Sequence, residues 1–244
     1  MAAAAIRGAR ERARAELTEE IKREARRQLA RDGAQRLSLR AVARELGMAS
    51  SALYRYFPSR DDLLTALIVD AHTMLAETVE RAVAVVPGAG GARVRWRVLC
   101  AAVRDWARAR PHEYALLYGT PVPGYRAAEE TVGPAARIPL ALLGLLRGSA
   151  ARPAQGPARP SPRSPSPLLS ARLAQLVGQY APELPQPVVA RALVAWAQLC
   201  GMVGFELAGN LDGAVESADA FFACAVEQLA DLLGLPEAPP AERG

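Results

Sequence analysis

The chain has 244 residues, 51% hydrophobic and 23% charged, enough to bury one large core or two small ones. Its net charge of +5 is unevenly placed: residues 1–60 hold 14 Lys and Arg against 7 Asp and Glu, whereas the rest hold 16 against 18. That asymmetry excludes a uniformly basic protein and directs one end at a polyanion, nucleic acid first and an anionic membrane surface second.

No run of about 18 uninterrupted apolar residues occurs, and MAAAAIRGARERARAEL turns charged too early for the apolar core of a signal peptide. A soluble cytoplasmic protein without a membrane partner is expected. Cys100, Cys200 and Cys224 are an odd set with no CxxC spacing. They argue for buried thiols and against a disulfide framework or a zinc site. Neither a metal nor another cofactor is expected.

Strand signals are nearly absent and Ala, Leu, Arg and Glu dominate, so the fold class is all-α. Leu17, Ile21, Ala25 and Leu29 recur every four residues and predict a first helix over about 9–32, stopped at Gly33. Ser38 is a good N-cap for a short second helix, with Leu39, Val42, Ala43 and Leu46 on one face and Arg40, Arg44 and Glu45 on the other. Gly47 interrupts the pattern, and a third short helix over about 50–57 ends at Pro58. SRDD at 59–62 reads as a capping box, Ser59 at the N-cap and Asp62 at N3. The helix it starts carries Leu64, Leu67, Ile68, Ala71 and Leu75 on one stripe and is predicted to reach about residue 86. At 1.5 Å per residue that is roughly 40 Å, more than a small domain needs.

VVPGAGGAR, residues 85–93, marks a turn and a domain boundary; no strand precedes its glycines and no Lys-Ser/Thr follows, so a phosphate loop is not supported. Beyond it, helices are predicted at about 93–109, 111–118, 125–132, 134–147, 168–180, 187–208 and 214–234. Ser149–Pro167 holds six prolines and no large apolar side chain, which predicts a mobile loop. The expected organisation is an N-terminal three-helix domain (1–58), a connecting helix shared by both domains (59–86), a C-terminal helical bundle (87–235) and a disordered tail (236–244).

Two short helices joined by a glycine turn at the basic end fit a helix-turn-helix. Leu39, Val42, Leu46, Met48, Leu53 and Phe57 form the inward set, leaving Arg40, Arg44, Ser50, Ser51, Tyr54, Arg55 and Tyr56 facing outward. Tyr54 and Tyr56 can donate hydroxyls to phosphate oxygens while their rings pack against the sugar edge. Arg60, a cation in the first turn of a helix, opposes the dipole and asks for a partner, of which phosphate is the obvious one. Arg40 suits a bidentate contact to a guanine edge, the DNA backbone being its alternative. Arg7, Arg10, Arg12 and Arg14 read either as an arm reaching an adjacent groove or as a solvated helix face.

LSLRAVARELGMASSALYRYFPSRDDLL resembles the DNA-binding domain of the TetR family of bacterial transcriptional regulators, whose signature is a helix-turn-helix closing on Leu-Tyr-x-His/Tyr-Phe with a Lys or Arg shortly after. The resemblance covers about residues 10–75. It implies that Ser38, Tyr54, Tyr56 and Arg60 contact phosphates and that Arg40, Ser50, Ser51 and Arg55 face the major groove of double-stranded operator DNA. Ala49 stands where that family often has a capping Ser, Thr or Asp, so either Ser50 caps a helix shifted by one or the cap is missing. Further on, WRVLCAAVRDWARARPHEYALLYGTPVPGY resembles a subgroup of TetR-family C-terminal domains that share a Pro-His-x-Tyr-x-Leu-x-Tyr-Gly segment. This implies a ligand-binding and dimerisation domain for an unspecified small-molecule effector.

In the helix at 187–208, Ala190, Val194, Ala197, Gly201, Gly204 and Ala208 line a stripe of small residues beside a larger apolar one. A helix apolar on most sides must be buried on most sides. The small stripe suits close approach of a second copy in a two-fold homodimer, with the helix at 168–180 completing a four-helix bundle; packing within one subunit is the alternative. Trp106, Tyr114, Tyr118, Tyr125, Trp196, Met202 and Phe205 are candidate pocket residues, each equally suited to a core. His112, just after Pro111, reads as a capping or packing residue. Two histidines and no HExxH, GxSxG or paired-carboxylate arrangement leave no catalytic set to nominate, so an enzyme is not expected. The expected function is a repressor released from a near-palindromic operator by a small apolar ligand. Its alternatives are a ligand-responsive activator and a basic-ended interaction protein without sequence-specific DNA binding.

Overall fold

The computed structural model describes residues 2–87, 91–148 and 166–237. The proline-rich stretch expected to be a mobile loop lies outside these residues, except for Ser166 and Pro167, which cap and begin a helix. Most of the expected tail and part of the 85–93 turn lie outside as well. Ten α-helices and no strand make up the described residues: α1 (Ala2–Asp32), α2 (Leu39–Glu45), α3 (Ser50–Leu53), α4 (Arg60–Ala84), α5 (Gly91–Ala109), α6 (Pro111–Tyr118), α7 (Val132–Gly148), α8 (Pro167–Tyr180), α9 (Gln186–Leu207) and α10 (Ala218–Leu233). The protein is all-α, with an N-terminal helix-turn-helix and a C-terminal helical bundle.

Local signals set several of the helix starts. Ser38 Oγ accepts the Ala41 N–H at 3.4 Å. Ser59 Oγ accepts the Asp62 N–H at 3.1 Å and donates to Asp62 Oδ2 at 2.7 Å, so the cap forms while the Asp62 carboxylate bonds the Ser59 hydroxyl. Ser217 caps α10, which begins later than the sequence pattern predicts because Gly209 and Gly213 hold left-handed turns at φ 71° and 74° just before it.

Two predicted helices differ. Residues 125–128 are not helical, and only a short turn at Glu129–Thr131 precedes α7. The Tyr125 hydroxyl is tied to Thr65 Oγ1 at 3.0 Å, and this tertiary anchor overrides the helix propensity of Ala127 and Ala128. The predicted third helix at 50–57 is α-helical only through Leu53; the N–H groups of Arg55 and Tyr56 bond three residues back, to the carbonyls of Ala52 and Leu53. Pro58 disfavours the helical region for Phe57, so the last turn tightens.

The chain forms two compact units. The first comprises residues 1–73 and 110–134, and the second 74–109 and 135–244. Thus α4 contributes to both, and α6 belongs with the N-terminal helices, where the sequence reading had grouped it with the C-terminal bundle. In the first unit, Ile21, Ala25 and Leu29 of α1, Leu39 and Val42 of α2, Leu53 of α3, Phe57 just after it, and Leu64 of α4 meet in one core. Each such leucine contributes about 1.5–3 kcal/mol through burial. Asp70 of α4 accepts from Lys22 and Arg26 of α1, and Arg26 also reaches Glu113 of α6 at 3.6 Å.

In the second unit, buried Arg104 of α5 forks onto Glu206 of α9 at 2.7 and 2.8 Å and reaches Asp219 of α10 at 2.7 Å. Buried Arg93 joins α5 to Glu227, Asp231 and the Leu235 carbonyl. By length and composition alone α9 could cross a membrane; here Val188, Ala192, Ala195, Leu199 and Val203 are buried within the unit. Cys100 is buried and Cys200 half-buried, but Cys224 is exposed on the uncovered face of α10, unlike the expected buried thiol.

Glu227, hydrogen-bonded by Arg97 and Arg93, has its carboxyl pKa held down at about 2 against an ordinary 4.5. A depressed folded-state pKa means that the stabilisation is complete above pH 4.5 and is lost as the pH falls toward 2. Glu227→Gln should therefore melt below the wild type at neutral pH, with the gap closing on acidification. Melting curves across that range check it; a gap independent of pH would contradict it.

Candidate nucleic-acid interface

Leu53 and Phe57 are both buried, which turns out much of the short segment between them. Ser51, Tyr54 and Arg55 are exposed and Ser50 is half-buried. Ala49 occupies the N-cap of α3 with no side-chain hydrogen bond, so the helix starts at Ser50 uncapped rather than shifted.

Ser38, Arg40, Tyr54 and Arg60 line one shallow concavity of about 430 Å³. The Ser38 N–H is held by Gln28 Oε1 at 3.0 Å and its Oγ accepts from Ala41, which leaves the hydroxyl proton to donate. Arg40 is exposed and has no ion-pair or hydrogen-bond partner among the described residues. Arg60 is half-buried, and one of its Nη atoms donates to the carbonyls of Ala34 and Gln35 at 3.0 and 3.2 Å. The partner its position asked for is therefore in part the turn after α1. Nε and the other Nη remain as donors.

Tyr56 corrects the outward assignment. It is half-buried against the core, with the Arg14 guanidinium 5.4 Å from its ring centroid. Residues three apart eclipse in a tightened turn, so Tyr56 follows Leu53 toward the core. A second concavity of about 180 Å³ gathers Arg14, Leu17, Met48, Ala52, Arg55 and Tyr56. Gln28, Arg14 and the two carbonyls under Arg60 are the supports that sequence reasoning missed; only the basic run containing Arg14 carried any signal. Arg44 is exposed, 3.8 Å from Glu45.

Among the described residues, the candidate pocket residues fall at separate places in the two units. In the first unit, Tyr114 and Tyr118 pack with ring centroids 5.0 Å apart, and Tyr118 meets buried His72 edge-on. Burial lowers the pKa of that imidazole below its ordinary value by disfavouring the charged form. In the second unit, Trp106 is buried, whereas Trp196 lines an apolar cleft with Pro139, Leu142, Leu143, Val189, Ala192 and Leu193. Met202 and Phe205 instead line an open apolar groove between α9 and α10, together with Val194, Ala197 and Gly201 of the small stripe. Of the other stripe residues, Ala190 and Gly204 are half-buried and Ala208 is exposed. The groove's second wall is α10, through Phe221, Cys224 and Leu232. Among the described residues no group of three or more His, Cys, Asp or Glu side chains is placed to hold a metal ion.

The family model for bacterial regulatory proteins of the tetR family matches residues 21–67, and that for tetracyclin repressor-like C-terminal domains matches residues 96–229. The chain belongs to the TetR family. A TetR-family helix-turn-helix, with both its concavities, therefore makes this protein a DNA-binding transcriptional regulator. The chain is 39% identical over 208 residues to the HTH-type transcriptional regulator Rv1816 of Mycobacterium tuberculosis, covering 83% of this chain and 86% of that one. It resembles the crystal structure of SCO4313 at 32% identity and a TM-score of 0.73, over 90% of this chain and 97% of the other. A protein of unknown function from Rhodococcus sp. RHA1 matches at 27% identity and a TM-score of 0.65, over 90% and 95% of the two chains. The TetR-family span at 21–67 contains every residue of the first concavity but begins after Arg10, Arg12 and Arg14.

Proposed function

We propose that this TetR-family regulator is a cytoplasmic repressor that binds a near-palindromic operator as a homodimer and is released by a small, largely apolar effector. The observation that carries the reading is the concavity that brings exposed, unpaired Arg40 together with Ser38, Tyr54 and Arg60 on the outer side of the helix-turn-helix. Donors of this kind suit phosphates around a base-reading arginine. The groove of α9 and α10, with Phe205 and Phe221 exposed beside Gly201, supports pairing with a second copy, which would set two reading segments about 34–36 Å apart. The cleft beneath Trp196 supports an apolar effector; at about 30 Å³ it has room for little more than a water, so binding would part α7 and α9. A ligand that prefers one of two states could then act through α4, which contributes to both units.

Genomic fragments retained by the protein, footprinted and retitrated with small apolar molecules that raise its melting temperature, test this reading. Two half-sites one helical turn apart and weaker binding with a bound effector are expected. An effector that binds without changing operator affinity would sink the release mechanism, and one that strengthens binding would favour an activator. On the selected fragment, Arg40→Ala should relax preference at one base pair by about 1–3 kcal/mol of discrimination. A uniform loss across all base substitutions would instead place Arg40 on the DNA backbone.

A further inference from the structure

We infer that the N-terminal end of α1 extends the nucleic-acid interface, placing Arg10 on DNA phosphates that flank the groove read by α3; this rests on the DNA-binding reading above. Every residue from Ala9 to Glu16 is exposed, and α1 first meets the core at half-buried Leu17 and buried Ile21. The helix thus continues for about two turns, roughly 12 Å, past the edge of the core. Such an extension gains nothing from burial, and an isolated helix of that length is marginal in water.

Its charge has a direction. At about 100° per residue, Arg10, Arg14, Leu17, Ile21 and Ala25 fall within an arc of roughly 80°. The face that α1 buries against the core from Leu17 onward is therefore continued, beyond the core's edge, by arginines. The first of them shows where that face points: the Arg14 guanidinium lies over the Tyr56 ring and its Nη2 donates to the Arg55 carbonyl at 3.4 Å, both in the segment after α3. Arg10 lies one turn further out on the same face and has no partner among the described residues. Glu16 lies well round the helix from this stripe, and Arg12 is on the opposite side, about 200° from Arg10. A cation that continues an established DNA-reading surface and lacks a protein partner has the charge and position to meet the adjoining phosphate backbone.

The opposed arginines supply the test. Arg10→Gln and Arg12→Gln remove the same charge from the same exposed helix and keep similar helix propensity. The full-length protein is titrated with a duplex selected from genomic DNA by the wild type, between 50 and 200 mM salt, and with the same duplex trimmed at its ends. Arg10→Gln should flatten the slope of log affinity against log salt by about 0.9 per subunit and abolish the affinity that the wild type loses on trimming. Arg12→Gln should change neither. Equal effects of the two variants would reduce the extension to diffuse charge and overturn the inference, as would a wild-type slope in Arg10→Gln. A wild type that binds no duplex at all would instead overturn the DNA-binding reading beneath it.

Discussion

Gly201→Arg is expected to leave the protein folded, convert a dimer to a monomer and weaken operator binding roughly a hundredfold or more, the avidity of two linked half-sites being lost. Glycine inside a helix is unfavourable by about 0.5–1 kcal/mol relative to alanine, and a helix retains one where something must approach closely. Among the described residues nothing does: a Cβ built at Gly201 meets no atom within 4 Å. The same face carries Phe205 at 58% exposure and Phe221 at 38%, across a groove of about 770 Å³. Exposed aromatics around an unexplained glycine are the marks of a surface covered by another helix. An arginine there points into solvent in a single copy and into the partner in a dimer, so the two states respond oppositely. Light scattering should show a halved mass with unchanged helical circular dichroism, and Gly201→Ala should raise the monomer's melting temperature while weakening association. A Gly201→Arg protein that remained dimeric would remove α9 and α10 from the interface.

The parts of the molecule legible in sequence are those decided locally. Ser38 and Ser59 cap the helices they precede because each acts within three residues. Leu53 and Phe57 read as inward and are buried, since the spacing of apolar residues reports the core directly. What was not legible depends on partners distant in sequence. Tyr125 is held by Thr65, sixty residues earlier, and no local pattern could say that this bond would keep 125–128 from forming a helix. Arg60 looked like an unpaired cation because its acceptors are backbone carbonyls, which leave no trace in side-chain composition. Tyr56 was placed outward because the apolar residues already filled the inward set, and only the tightened turn after Leu53, which no composition reveals, carries it toward the core. That α10 would form the other wall of the groove beside the small stripe of α9 was not legible either, because only tertiary packing sets the two helices side by side.

Arg60→Ala should show two separable losses, one of stability and one of DNA affinity. The hydrogen bonds from its Nη to Ala34 and Gln35 join the start of α4 to the turn between α1 and α2. Bonds from a charged donor contribute about 1.5–3 kcal/mol, and for a chain of this size a loss of about 2 kcal/mol lowers the melting temperature by roughly 4–8 °C. That turn precedes Ser38, so losing it also loosens the placement of Ser38 and Arg40 in their shared concavity. The remaining donors of Arg60 are the ones available to phosphate, and their removal should flatten the salt dependence by about 0.9 per subunit. Arg60→Lys separates the two roles. A lysine keeps the charge, and with it the salt slope, but as a point donor it cannot hold both carbonyls and present a second edge to DNA. It should therefore melt nearly as low as the alanine variant while retaining the wild-type slope. An Arg60→Ala protein of unchanged melting temperature would show the two carbonyl contacts to be energetically idle, and one of unchanged slope would confine Arg60 to holding the turn.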